Sequence, residues 1–168
     1  MAHVDYFLKF EGGTAVSKVE GESADAKHKG EVDVESWSWG ESNVGTHAIG
    51  GGGGAGKVSM QDFHFVMKMS KASPSLFLAC ATGDHLKSAV LTCRKAGGEQ
   101  QEFLIITMND LLVSSYQTGG SAHGDIVPTD QISLNFSKFK IDYKVQNEKG
   151  AVTGSNIAGW DVKANKKL

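Results

Sequence analysis

Trp37 and Trp39 stand two residues apart in the stretch Gly21–Gly40, GESADAKHKGEVDVESWSWG. The segment from Glu31 to Trp39 reads as a β-strand, and side chains two apart on a strand share a face. That face also carries Asp33 and Glu35, while Val32 and Val34 point the other way. So either the strand is bulged, or both of its faces are buried, one of them against something outside the monomer's own core. Left in water, the two indoles would expose on the order of 300–500 Å² of largely apolar surface, which monomers rarely tolerate in one patch. The pair predicts a β-protein able to assemble.

Apolar phasing elsewhere extends the β reading. Val4, Tyr6, Leu8 and Phe10 share one face of a first strand, and Glu11–Gly30 is polar and loop-like. A long connection, Asn43–Gly56, carries the tract Gly50, Gly51, Gly52, Gly53 and Gly54, and Lys57–Met69 reads as a third strand. One helix is expected over about 74–82, with Ser73 as N-cap, Pro74 at the first helical position and Gly83 as its stop. Ser88–Arg94, Glu102–Met108 and Leu111–Tyr116 read as three short strands, with Asn109-Asp110 dividing the second from the third. Phe103–Ile106 is apolar on both faces and is expected to be central. Gln131–Val145 and Ile157–Ala164 complete the set.

Three strands change apolar phase midway. Val32 and Val34 give way to Trp37 and Trp39, Val58 and Met60 to Phe63, Phe65, Met67 and Met69, and Ile132, Leu134 and Phe136 to Phe139, Ile141, Tyr143 and Val145. A one-residue slip moves side chains to the opposite face unless a bulge absorbs it. Bulges, or half-strands buried on different faces, both suit a curved wall. The expected fold is mainly β: a curled two-sheet β-barrel with one short α-helix, forming a single domain over residues 1–168.

The 168 residues carry a net charge of −2, without the basic stripe that a nucleic-acid partner requires. No segment has membrane-spanning length, and Met1–Gly13 has neither the basic start nor the apolar run of a signal peptide. The chain is therefore expected to be made in the cytoplasm, with Cys80 and Cys93 as buried, reduced thiols.

Chemistry is not advertised. Gly51–Lys57 imitates a phosphate-binding loop, but Val58 stands where a magnesium-binding hydroxyl belongs, and a strand follows rather than a helix. The six histidines show no ligand spacing, and neither cysteine belongs to a CxxC pair, so no metal or other cofactor is expected. Ser121, His123 and Asp125 have triad residue types, yet neighbours in one loop rarely reach triad geometry. The lysines at 138, 140 and 144 read as a solvated strand face.

Several blocks, each weak alone, occur together and in order. They are GES-x-D-x-x-H at Gly21–His28, EVDV-x-SWSWG at Glu31–Gly40, and GGGGGAGKV at Gly50–Val58 followed by Gln61-Asp62. SP-x-L at Ser73–Leu76, L-x-CRKAGGE-x-Q at Leu91–Gln101, LIIT at Leu104–Thr107 and LVSS-x-x-TGGS at Leu112–Ser121 continue them. In these the chain resembles the hemolysin-coregulated protein family, the tube-forming component of bacterial type VI secretion systems. The resemblance runs from Val4 to about Lys166, with extra residues around Gly12–Val16 and a divergent end after Gly150.

The resemblance implies a non-enzymatic subunit of a six-membered ring. Rings would stack head-to-tail into a hollow tube, tipped by a spike protein, surrounded by a contractile sheath, and able to carry small effectors in its lumen. Export by this route needs no signal peptide, and no toxin domain is expected after the last strand. The family's loop between its second and third strands, which helps subunits or rings meet, corresponds to Asn43–Gly56. With the tryptophans, the candidates for subunit or ring contact are Trp37, Trp39, Asn43, Gly50, Gly51, Gly52, Gly53, Gly54 and Lys57. The glycine tract is expected to be more mobile in an isolated ring than in a stacked tube. A competing reading keeps the chain a monomeric β-barrel module or chaperone for one ligand.

Overall fold

The first strand sets the frame. In β1 (Val4–Glu11) Leu8 and Phe10 turn inward, and the strand lies between β2 (Val32–Val34) and β7 (Leu86–Lys95), antiparallel to both. The computed structural model describes residues 3–45, 56–95 and 100–168. Its other strands are β3 (Ser36–Ser38), β4 (Glu41–Ser42), β5 (Ser59–Met60), β6 (Phe63–Lys68), β8 (Glu102–Gly119), β9 (Thr129–Gln146), β10 (Val152–Asp161) and β11 (Lys166–Lys167). The main sheet runs β11-β10-β9-β8-β7-β1-β2, with β6 added to β9 and β3 added to β6, while β4 and β5 form a separate small hairpin.

Only Glu35 separates β2 from β3, so the two arms of the sheet meet there. β2 pairs with β1, β3 pairs with β6, and the Glu35 N–H donates to Val66 O at 2.8 Å. The sheet is curled rather than closed into one continuous ladder. Inside the curl Leu8, Phe63, Phe65, Leu91, Ile106 and Leu134 are buried with the helix residues Leu76 and Ala79. The expected mainly-β, curled architecture with one short helix is what the chain adopts.

The three phase shifts share one cause: each falls where a strand exchanges partners. The bend at Glu35 divides the second expected strand in two, and Trp37 beyond it packs toward the same core as Val34. The third expected strand breaks at Gln61-Asp62, between β5 on β4 and β6 on β3 and β9. On β9, one edge pairs with β6 over Thr129–Leu134 and with β10 from Lys138 onward, and the shift between Phe136 and Phe139 lies in the gap.

Other expectations need correction. Asn109-Asp110 does not interrupt the sheet, because β8 runs unbroken through it along an equally long β9. Asp110 takes a positive φ of 48°, which its short polar side chain tolerates, and its Oδ1 lies 2.9 Å from His85 Nδ1. The helix α1 is Ala72–Thr82, so Ser73 lies inside it rather than capping it. Its Oγ instead accepts the Ser70 N–H and donates to Asp130 Oδ2. Cys93 is fully buried but Cys80, on α1, is only half-buried. The last expected strand begins earlier, at Val152, and ends at Asp161, whose Oδ1 turns the chain by accepting the Ala164 N–H at 2.7 Å.

Candidate assembly surfaces

Both indoles find partners within the chain. Trp37 stacks on Phe63 with ring centroids 5.8 Å apart and meets Tyr6 edge-on at 6.3 Å. Trp39 lies edge-on to Phe136 at 5.4 Å and Phe139 at 5.0 Å, and its indole N–H donates to Gln61 O at 3.1 Å. Each remains half-buried, so some of each ring stays open to solvent. The phase shift on β9 is what brings Phe136 and Phe139 to the same indole.

Asn43 and Lys57 are exposed at the two feet of the long connection. Gly50, Gly51, Gly52, Gly53 and Gly54 lie outside the described residues. Asn43 lines a cleft of about 540 Å³ between the β4–β5 hairpin and the β9–β10 pair, whose apolar wall is Phe139, Ile141 and Trp160.

Sequence reasoning missed two exposed apolar patches. On β9 and β10, Tyr143, Val145, Val152 and Ile157 are open to water. On and beside α1, Phe77, Leu78, Met69 and Val127 are open as well, and Phe77 meets Tyr116 edge-on at 5.0 Å. Tyr143 pairs with Leu104 near the start of β8, whereas Tyr116 lies near its end. At ~3.3 Å per residue the patches sit roughly 40 Å apart along the strand. Periodicity marked these side chains as apolar; only the topology shows that nothing among the described residues covers them.

It also missed a charged network at the base of β1. Arg94, 2% exposed, sends Nη1 and Nη2 to the Asp25 carboxylate at 3.0 and 2.6 Å and Nη2 to Asp5 at 3.0 Å, while its guanidinium lies 4.9 Å from the centre of the Phe7 ring. A signal existed: an arginine that directly follows the mostly apolar run ending at Cys93 in an expected strand requires a partner if it is buried.

The triad types near residue 121 do not assemble. Asp125 pairs with Lys68, and Ser121 Oγ accepts the His123 N–H at 3.4 Å. Burial pushes the Cys93 thiol up to about 12, against the low values that make a thiolate nucleophile. Among the described residues no helix is long and apolar enough to cross a membrane.

The pattern for the family described as "Type VI secretion system effector, Hcp" matches residues 7–143. The chain is similar to Protein hcp1 of Pseudomonas aeruginosa, with 46% identity over 164 residues, 96% of this chain and 97% of that protein. Among solved structures it resembles Hcp1 from Salmonella typhimurium, with 38% identity, a TM-score of 0.78 and 100% of both chains covered. It also resembles a type six secretion system protein with 28% identity and a TM-score of 0.90, over 99% of this chain and 100% of that one.

Proposed function

Because the chain belongs to the Hcp family of type VI secretion proteins, secreted and structural rather than enzymatic, we propose that it forms hexameric rings that stack into a hollow, exported tube. The observation that carries the reading is the pair of apolar patches at opposite ends of β8–β9. A head-to-tail contact uses two different surfaces of one subunit, and it makes a ring when its rotation closes. Neither patch has a cover among the described residues of its own chain.

In this reading Asn43, Lys57 and the glycines Gly50–Gly54 between them belong to the contact with a neighbouring subunit or ring. Trp37 and Trp39, packed on Phe63, Phe136 and Phe139 of their own chain, are read as serving the core rather than that contact. The partners are further rings, a spike at the tube tip, a contractile sheath, and small effector proteins in the lumen. The chain folds in the cytoplasm before assembly and is exported as part of the tube.

Light scattering on the purified protein tests this. The expected mass is near six chains. A clean monomer at micromolar concentration would overturn the ring and favour a single-ligand β-barrel module.

A further inference from the structure

Between β1 and β2 the chain makes no strand, yet residues 21–31 are closely held. Gly21 N–H donates to Gly30 O at 2.8 Å, Ser23 N–H to Glu31 O at 3.0 Å, and Gly30 N–H to Ser23 O at 2.9 Å. The His28 ring lies flat on Phe7, with centroids 4.3 Å apart and planes 7° from parallel, and it is 6% exposed. Its Nδ1 is 2.9 Å from Glu31 Oε2, and its Nε2 is 2.9 Å from Glu102 Oε1.

A neutral imidazole has one N–H and one lone pair. It satisfies one of these carboxylates and turns its lone pair against the other, in a place shielded from water. Two hydrogen bonds at these distances need one more proton within the cluster, whichever atom holds it. The surrounding side chains are mostly acidic. Glu31 faces the ring from its own segment and Glu102 from β8, while the His28 backbone N–H donates to Asp25 O at 3.2 Å. Across Phe7 lies Arg94 of β7, already shared between Asp25 and Asp5 of β1. Lys27 and Lys29 are exposed. With Asp33 of β2, which stands opposite Phe7 beside Asp5 and Asp25, five carboxylates thus gather around one buried permanent cation.

We propose that His28, Glu31 and Glu102 form a proton-dependent latch that clamps the segment Gly21–Glu31 to the start of β8. With the proton bound, both nitrogens donate and the segment is closed. Loss of the proton sets a lone pair against a carboxylate, and the segment opens locally. The latch therefore holds while that proton is bound and is lost as rising pH removes it. The device lies within one chain and goes beyond the tube reading, so it stands or falls apart from ring formation.

The test is made on the full-length protein at fixed concentration. Nitrogen-15 signals of His28 at pH 7.5 are expected to show both ring nitrogens protonated. Amide protection factors at Gly21, Ser23 and Gly30 are expected to fall with rising pH, by up to ~10-fold per unit for one proton. In Glu102→Gln the new amide donates to Nε2, so a neutral ring suffices, and that fall is expected to vanish. Parallel protection curves in the two proteins, or a neutral single-tautomer ring in the wild type at pH 7.5, would overturn the latch. If Glu102→Gln does not fold, the wild-type nitrogen signals decide alone.

Discussion

Asp25 shows how one residue fixes a loop that has no secondary structure of its own. The Arg94 guanidinium, and then the Lys27 backbone N–H at 3.0 Å, hold its carboxyl far below the usual carboxylate range. A carboxylate stabilised in this way adds stability above its ordinary value near ~3.9, and that stability is lost as pH falls below it. Asp25→Asn is therefore expected to flatten the acid limb of the stability curve between about pH 4 and 2, read from melting temperatures across that range. An acid limb as steep as the wild type's would assign acid sensitivity to other carboxylates. Arg94 in turn needs Asp25 in place, because a buried guanidinium that loses a partner keeps its full desolvation cost.

At the scale of elements, α1 is secured by both apolar packing and hydrogen bonds. Leu76 and Ala79 are fully buried against the sheet. Ser73 and Tyr116 both donate to Asp130 Oδ2, at 2.7 and 2.6 Å, tying the helix and β8 to β9. The helix ends at Gly83, in the left-handed region at φ 65°. A Cβ built there meets nothing within 4 Å, so the cost of alanine is backbone strain alone. Gly83→Ala is expected to lower stability by about 1 kcal/mol, measured from the denaturant midpoint. No change in midpoint would mean that the turn relaxes to another conformation at no cost. The opposite side of the same helix leaves Phe77 and Leu78 in water, which packing within one chain does not explain.

For the whole molecule, the tryptophans separate folding from assembly. Their ring partners Phe63, Phe136 and Phe139 come from β6 and β9, so the indoles join the arms of the curl. Trp37→Ala and Trp39→Ala are each expected to cost about 3 kcal/mol, the low end for a large aromatic because some of each ring is exposed. The folded fraction of each is expected to keep the wild-type mass. Thermal melts paired with light scattering check both. A variant that keeps its melting temperature but loses its mass would move that tryptophan from the core to the subunit contact.

The sequence by itself determined the mainly-β class, the helix near Pro74 with its stop at Gly83, the central place of β8 and the need to cover two indoles. These follow from local chemistry: which residues share a face, which favour a turn, and how much apolar surface water tolerates. It also carried the three phase shifts but not their meaning, because periodicity reports faces and not partners. Only the tertiary structure decided that strands exchange partners at Glu35, at Gln61-Asp62 and between Phe136 and Phe139. It alone joined Arg94 to Asp25 and His28 to Glu102, across 69 and 74 residues. A charge pair so distant in sequence leaves no periodic trace, since its distance is set by the path of the whole sheet.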